Sequence, residues 1–446
     1  MNPLHNKKQN TINLSPPSLL ALGFLSFILI GTLLLKLPIA HYGELSWVNA
    51  LFTATSAVTI TGLSAVDVGE TYTTFGKVTI MLMLQCGGLG FMTFAILAAL
   101  SLSSNIGLKQ QVMAQETIGQ TSLSKVSFTI KGVLLYSLFF EALGTVILTI
   151  AWMQEYDFAH AFFYAAFYSV SAFNNGGFSL FPNSLMSFSE HYLITFTISM
   201  LYIIGGIGFV VLMDIKRARR WKKMSPNSKL ILSTIAGLNL IAFIVIWALE
   251  ASNPLTLAGM SLGDQAVNAW FHATVPRSSG FNSLDMASMS DASTLVTMVL
   301  MFIGGGSLST AGGIKVGTFI IVILSVVTFL RRSEELRVFN HSVSKTTSFK
   351  AFAVVSITGI LIFLGLLTLL ILEPDKEFLD LLFEAVSAAC TVGLSRGITG
   401  ELQPASLVAL MLLMFAGRLG PLTLAYLIAT PKKSRLKHPP TDIQIG

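Results

Sequence analysis

The sequence is poor in cysteine and in charge. Only two of its 446 residues are cysteines, Cys86 and Cys390, and both lie in apolar stretches, so no disulfide framework is expected. Charged residues make up 11% of the chain, whereas soluble domains carry about 25%. This low charge excludes an ordinary soluble globular domain.

Motifs for catalysis and for nucleic-acid binding are also absent. The polar stretches contain no cluster of His, Asp and Glu residues and no nucleophile with a base at suitable spacing, which argues against a membrane enzyme. The net charge is +6, but the basic residues are not interleaved with aromatic ones, so nucleic acid is not an expected partner. We expect no enzymatic activity and no cofactor bound by this chain.

Apolar residues are what the sequence has in abundance. They make up 53% of the chain, and the mean hydropathy is +0.72. A helix needs about 20 apolar residues to span a bilayer. Eight candidate runs occur, near residues 17–40, 78–102, 131–153, 192–213, 229–250, 294–330, 351–372 and 405–429. We therefore expect an integral membrane protein with two helical spans in each quarter of the chain.

A short motif lies between the two spans of each quarter. Each copy has an aromatic residue, a Ser or Thr four positions later and a glycine six positions after that. The glycines are 115, 103 and 113 residues apart, and they are Gly62, Gly177, Gly280 and Gly393. A single glycine turn in a membrane protein is more often a helix-packing point, but the fourfold recurrence favours a shared function.

The four motifs predict a fourfold pore. Within a bilayer, non-helical backbone is tolerated only where it is buried in protein or lines a water-filled cavity. Four such turns are best accommodated around one axis, where backbone carbonyls can replace the hydration shell of a cation and a terminal glycine can adopt a positive φ. The expected fold is all-α, with four tandem repeats of transmembrane helix, pore helix and transmembrane helix around a pseudo-fourfold central pore, as in potassium channels. The expected ion-binding filter residues are Ile60, Thr61, Gly62, Asn175, Gly176, Gly177, Ser278, Ser279, Gly280, Thr391, Val392 and Gly393.

Charge predicts the orientation of these repeats. Of the 28 Lys and Arg residues, 21 lie in the termini and in the loops that join one repeat to the next. By the positive-inside rule, these loops and both termini are expected to be cytoplasmic. The expected pore repeats are 15–104, 131–215, 229–330 and 351–430, and the expected cytoplasmic segments are 1–14, 105–130, 216–228, 331–350 and 431–446.

Glycine motifs in the second helices carry a family resemblance. Residues 87–91 (GGLGF) are echoed by 205–209 (GGIGF), and related glycine-rich stretches occur at 304–317 and 417–421. Together with the four turns, they make residues 15–430 similar to the Trk/Ktr/HKT superfamily of potassium uptake proteins, and most closely to the bacterial Ktr-type membrane subunit.

The resemblance implies uptake of potassium, as the substrate, across the cell membrane through a selective, gated, channel-like pore, with sodium dependence left open. It implies a homodimer seated on a cytoplasmic RCK-type ring, and nucleotide bound only by that partner subunit. It also implies one filter glycine per repeat, at the four motif glycines. The alternative function is a secondary cation transporter working by alternating access. Such transporters usually have inverted repeats and paired broken helices, whereas we expect four parallel repeats and one broken helix.

That broken helix is the second helix of the third repeat. Residues 304–317 contain six glycines, and each glycine inside a helix costs about 1 kcal/mol relative to alanine. In the resembling family this segment is an intramembrane gate loop, and a pore-facing arginine of the last helix lies close to it. The implied gate residues are Gly304, Gly305, Gly306, Ser307, Thr310, Gly312, Gly313, Lys315 and Arg418.

Four other residues at membrane depth have chemically active side chains. Glu141 is expected to be the structural partner of a cation or an amide rather than part of an ion pathway. Arg277 would repel a cation from the filter, so we expect it to turn away and brace the pore helix. His272 and Cys390 have no metal-ligand companions at suitable spacing and are expected to be packing residues.

Overall fold

The structure, a computed structural model, describes residues 16–90, 123–421 and 423–424 and is built mostly of helices. Each quarter contains a first helix, a short helix that precedes a motif glycine, and a second helix. In the first quarter these are α1 (Pro16–Leu35), α2 (Trp47–Thr59) and α4 (Thr74–Gly88), with the single turn α3 (Val68–Thr71) before α4. In the second quarter they are α5 (Leu123–Trp152), α6 (Phe158–Phe173) and the broken pair α7 (Tyr192–Ile207) and α8 (Phe209–Ala218).

The third and fourth quarters follow the same order. The third has α9 (Pro226–Glu250), α10 (Leu262–Thr274) and the separated helices α11 (Asp291–Ile303) and α12 (Val316–Leu330). The fourth has α13 (Lys345–Leu372), α14 (Phe378–Ala389) and α15 (Pro404–Leu419). An antiparallel hairpin of two short strands, β1 (Arg337–Val338) and β2 (His341–Ser342), connects the third quarter to the fourth. Short 3-10 turns occur at Met186–Phe188, Trp221–Lys223 and Thr399–Glu401.

The quarters are arranged in a closed cycle. The second helix of each quarter packs against the short helix of the next: α4 against α6, α7 against α10, and α11 against α14. The second helix of the last quarter, α15, packs against α2 of the first. The short helices therefore lie in the core, and Phe52, Phe167 and Phe383 at their shared aromatic position are fully buried.

In the part of the chain that the structure describes, fewer helices than expected are long enough to span a membrane, and the runs expected at 78–102 and 405–429 lie partly outside that part. Within the described residues, three qualify by length and composition, Gly132–Trp152, Pro226–Glu250 and Lys345–Leu372, and α7 with α8 makes a fourth if the bent pair is one span. Other expected runs form shorter apolar helices, at Leu20–Leu35, Asp291–Ile303, Val316–Leu330 and Pro404–Leu419. The run at 294–330 forms two helices, α11 and α12, on either side of the glycine-rich segment where a break was expected.

Glycines with positive φ shorten the second helices. These glycines are Gly90 (75°), Gly208 (110°), Gly304 (69°) and Gly420 (81°). The break expected after residue 303 is confirmed, because helix resumes only at Val316. The expectation of one broken helix is wrong, because Gly208 also bends the chain by 90° between α7 and α8. A glycine has no Cβ, so it adopts a positive φ at little steric cost where the helix must turn.

Candidate functional site

The four short helices end in turns of the same backbone geometry. The motif glycines have φ values of 95°, 67°, 69° and 92° at Gly62, Gly177, Gly280 and Gly393, so the expectation of positive φ is confirmed. The residue two positions before each glycine also has a positive φ: 55° at Ile60, 59° at Asn175, 78° at Ser278 and 48° at Thr391. Sequence reasoning missed this second feature, because β-branched residues such as isoleucine and threonine rarely adopt it.

Each turn touches the next, and the fourth touches the first. A methyl group built on Gly62 would lie 2.6 Å from the carbonyl oxygen of Gly176, and one on Gly177 would lie 2.7 Å from the Cα of Gly280. One on Gly280 would lie 3.0 Å from the carbonyl oxygen of Val392. One on Gly393 would lie 2.0 Å from the carbonyl oxygen of Thr61. The four turns therefore form a closed ring of backbone that has no room for side chains at the glycines.

The shared hydroxyl position holds two of the four turns directly. The Oγ of Ser56 accepts a hydrogen bond from the backbone N–H of Gly62 (3.0 Å), and the Oγ of Ser387 accepts one from Gly393 (3.1 Å). In the second turn the Oγ of Ser171 instead donates to the carbonyl oxygen of Phe178 (3.0 Å). In the third, Thr274 bonds to the hydroxyl of Tyr202 (2.7 Å). The first and fourth turns thus share one means of support, and the second and third depend on others.

A cavity of about 340 Å³ opens onto the ring and is lined by all four motif glycines. Hydroxyl groups of Ser395 and Thr399 also line it. Of the described residues in its wall, Asp285 is the one with an ionisable side chain. A wall with an acidic residue and without basic ones attracts cations more than anions.

The broken segment between α11 and α12, residues 304–315, is hydrogen-bonded to two of the turns and to the residue directly before a third. The Oγ1 of Thr310 donates to the Oδ1 of Asn175 in the second turn (2.6 Å). The backbone N–H of Gly312 donates to the Oγ of Ser278 in the third (2.8 Å), and the N–H of Gly313 to the carbonyl oxygen of Cys390 beside the fourth (3.0 Å). The segment therefore contacts residues that lie two or three positions before the motif glycines, and not the glycines themselves.

Arg418 fixes this segment from the fourth quarter. One guanidinium N–H donates to the carbonyl oxygen of Thr310, and a second donates to that of Gly87 at the end of α4, both over 2.8 Å. Lys315, at the other end of the segment, donates from its Nζ to the carbonyl oxygen of Ala311. In the part of the chain that the structure describes, neither cation forms an ion pair with a carboxylate. The expected proximity of Arg418 to the segment is confirmed.

The remaining candidates lie behind the ring. Glu141 is buried and accepts hydrogen bonds from Gln85 and Asn174, so the expectation of an amide partner is confirmed. The Nε2 of His272 accepts the backbone N–H of Leu284 (3.0 Å). Arg277 is buried beside Tyr202 and Gly305, outside the cavity wall. Its Nε and Nη1 have no hydrogen-bond partner among the described residues, and the bracing of the pore helix by Arg277 stays a prediction.

Comparisons with known proteins agree with this architecture. The family model described as "TrkH: Cation transport protein" matches residues 18–436. The chain is 42% identical to Ktr system potassium uptake protein B of Bacillus subtilis, covering 98% of both chains. It is 32% identical to the potassium/sodium uptake protein NtpJ of Enterococcus hirae, covering 99% of both. The solved structure of the potassium transporter TrkH from Vibrio parahaemolyticus matches 95% of this chain and 87% of its own, with a TM-score of 0.76 and 19% identity. That last match concerns the fold alone.

Proposed function

Because the chain belongs to the TrkH family of cation transport proteins, we propose that it takes up potassium ions across the cell membrane through a selective pore. The observation that carries this proposal is the closed ring of four glycine turns. Full-length similarity to relatives named for potassium uptake supports the choice of ion. As a member of this family, the chain is a multi-pass membrane protein and not an enzyme.

In this proposal the ring is the selectivity filter of a pseudo-fourfold pore. Carbonyl oxygens aimed at a common axis replace the water that a potassium ion loses on entry. Alternation of positive and negative φ along each turn directs successive carbonyls, and the close approach of neighbouring turns keeps side chains out. The filter residues are those at 60–62, 175–177, 278–280 and 391–393, and the 340 Å³ cavity is the entrance that leads to them.

In this proposal residues 304–315 form the gate. Arg418 holds the gate in place through its hydrogen bonds to the carbonyl oxygens of Thr310 and Gly87. Hydrogen bonds join the segment to two filter turns, at Asn175 and Ser278, and to Cys390 directly before a third. It is non-helical and glycine-rich, so it can change shape more easily than the helices on either side. A shift of the segment would break these hydrogen bonds and open a path for ions past the filter turns.

The proposed assembly is a homodimer on a cytoplasmic RCK-type ring that binds the regulatory nucleotide. Relatives named as components of a Ktr system support a complex of more than one kind of subunit. The proposal assigns both termini to the cytoplasm, because the positive-inside rule assigns the Lys- and Arg-rich segments to that side. Exposed Arg219, Arg220 and Lys222 after α8 offer a surface for that ring.

One observation favours the alternative of a transporter that works by alternating access. The bend at Gly208 adds a second broken helix to the break at 304–315, and paired broken helices are typical of such transporters. A selective pore and an alternating-access transporter give different electrical currents. A pore carries many ions in each opening, whereas an alternating-access carrier moves a fixed number in each cycle and gives no single-channel steps.

Potassium uptake by cells that lack their own potassium transporters tests the proposal. Expression of the chain should restore growth at low external potassium and give rubidium uptake that excess sodium does not block. A matched strain expressing an unrelated membrane protein at the same level controls for leakage through overexpressed membrane protein, and a strain expressing Gly393→Ser should take up rubidium with a lower preference over sodium. Normal amounts of the wild-type chain in the membrane with no potassium or rubidium uptake would reject the proposed function.

A further inference from the structure

A buried polar cluster lies behind the second turn. Its centre is the carboxylate of Glu141 in the middle of α5, which is 5% exposed. The Oε1 of Glu141 accepts hydrogen bonds from the Oγ of Ser137 (2.7 Å) and the Nδ2 of Asn174 (3.0 Å). Its Oε2 accepts one from the Nε2 of Gln85 (3.1 Å). Three donors and no acceptor therefore face the carboxylate, which suits its ionised form.

A buried carboxylate such as this one usually has a cationic partner. No Lys, Arg or His in the described part of the chain forms an ion pair with Glu141. Burying a charge is costly unless it is paired or well hydrogen-bonded, and an apolar side chain of similar size would avoid that cost. What the carboxylate provides instead is strong, directional acceptance of hydrogen bonds from its three neighbours.

Asn174 connects the cluster to the ring. It directly precedes Asn175, the positive-φ residue of the second turn. Its Nδ2 also contacts the Oε1 of Gln85 (2.7 Å), and its side chain lies against α4, where a methyl group on Gly88 would be 2.0 Å from its Oδ1. The cluster therefore holds the start of the second turn against a helix of the first quarter.

The second turn needs this support more than the first and fourth turns do. Those two turns are fixed by a serine hydroxyl that accepts the N–H of the motif glycine. In the second turn, Ser171 makes no such bond, and its hydroxyl donates to Phe178 instead. In the second turn, the side-chain amides of Asn174 and Asn175 form the hydrogen bonds that support the backbone. Asn175 bonds to Ser279 (3.1 Å), and Asn174 bonds to Glu141 and Gln85.

We propose that Glu141 is a positioning residue for the filter, and that it sets the cation preference by holding Asn174 and hence the backbone at 175–177. The inference rests on the proposed function, because it assigns a selectivity role to a residue that does not touch the ion. Glu141 acts through Asn174, so removing either side chain should have the same consequence.

The test compares Glu141→Ala, Glu141→Gln, Asn174→Ala and the double alanine variant. The KM for potassium should rise about tenfold in each alanine variant, as expected for the loss of one hydrogen bond to a charged group, and the preference for potassium over sodium should fall. Glu141→Gln keeps part of the hydrogen bonding and should fall between wild type and alanine. Because the two residues act as one unit, the double variant should be no worse than the more affected single variant.

Glu250→Ala is the matched control. Glu250 is also a fully buried carboxylate, but it lies at the end of α9 and accepts hydrogen bonds from Ser290 (3.0 and 2.7 Å), Thr256 (2.6 Å) and Asn253 (2.7 Å), away from the ring. Its loss should lower the thermal stability of the purified protein and leave the KM and the ion preference per molecule unchanged.

The outcomes separate the inference from the proposed function. If Glu141→Ala and Asn174→Ala behave like Glu250→Ala, with unchanged KM and ion preference, the inference is overturned. If Glu141→Ala does not accumulate in the membrane, Asn174→Ala decides the question in the same assays. Failure of the wild-type chain to carry potassium rejects the proposed function instead. Potassium-dependent thermal stabilisation of the purified variants then decides the inference without transport, and an unchanged potassium dependence would overturn it.

Discussion

Arg418 donates a guanidinium N–H to the carbonyl oxygen of Thr310 over 2.8 Å. The same guanidinium binds the carbonyl oxygen of Gly87, so one side chain from the fourth quarter joins the 304–315 segment of the third quarter to the end of α4 in the first. Hydrogen bonds from a charged donor are worth about 1.5 to 3 kcal/mol each. Thr310 in turn bonds to Asn175 of the second turn. Arg418 therefore stabilises the position of the segment relative to the ring.

Weakening this contact should open the proposed gate. Arg418→Gln removes the charge and leaves one amide group in place of the two-pronged guanidinium, so the 304–315 segment should be held less firmly. We expect a several-fold rise in rubidium flux into proteoliposomes and a weaker response to the regulatory subunit. Shortening residues 304–313 to a few glycines should act in the same direction, because it removes the obstruction and leaves the filter.

Arg396→Gln is the control for loss of an arginine near the ring. Arg396 pairs with Asp380 (2.6 Å) and donates to Thr294 (3.0 Å), and among the described residues no hydrogen bond joins it to the 304–315 segment. This variant should not raise the flux. Reduced flux with normal membrane expression in both Arg418→Gln and the shortened variant would show that the segment is structural and not a gate.

The motif glycines should set the preference for potassium over sodium. Serine at Gly62, Gly177, Gly280 or Gly393 would have to adopt φ values of 67–95° and would place its Cβ within 3.0 Å of a neighbouring turn. The carbonyl groups would then be moved, so each single variant should lose on the order of tenfold in selectivity, about 1.4 kcal/mol. Competition between rubidium and sodium for uptake measures this ratio.

Gly43→Ser separates this effect from backbone strain in general. Gly43 also has a positive φ, 63°, but it lies outside the turns, and a methyl group there would meet nothing within 4 Å. It should leave selectivity unchanged. Wild-type selectivity in all four single variants of the motif glycines would show that the ring is not the filter.

The repeated features of this protein could be predicted from sequence because glycine and serine recur at fixed positions. Gly62 and its three counterparts point to turns with positive φ, and the glycines at 304–313 point to a helix break. Both predictions rest on the conformational freedom of glycine, which is local and visible in the sequence. The proximity of Arg418 to the 304–315 segment came from the family resemblance.

Other features depend on contacts that no local pattern reveals. Ile60 and Thr391 adopt a positive φ against the preference of β-branched residues, because the packed ring holds them there. The motifs at 87–91 and 205–209 have glycines at the same positions, and such glycines also occur where helices pack closely together. The sequence therefore does not show that Gly208 bends the helix. Asn174 meets Gln85 across 89 positions of sequence, and spacing carries no information at that distance.

The cytoplasmic ring should bind through the basic residues after α8. Arg219, Arg220 and Lys222 are exposed, and replacing all three by Glu should weaken co-purification of the ring and its nucleotide-dependent control of flux. Arg217 is left in place because it pairs with Asp214 (3.4 Å), which accepts the N–H of Ser225 at the start of α9 (2.9 Å). The variant therefore tests a surface and not the fold.

Orientation in the membrane should survive this charge reversal, because the other basic segments keep their charge. A parallel variant with Arg331, Arg332 and Lys350 replaced by Glu reverses the same number of exposed charges in the 331–350 loop and leaves the Arg337–Glu335 pair in place. If the cytoplasmic nucleotide-binding subunit dissociates from the first variant and stays bound to the second, the residues after α8 are the docking surface. If the second variant loses binding and the first keeps it, the docking surface is the 331–350 loop. The two variants reverse the same number of charges, so a difference between them depends on where the charges lie. If the wild-type chain recruits no cytoplasmic nucleotide-binding subunit, the proposed assembly is wrong.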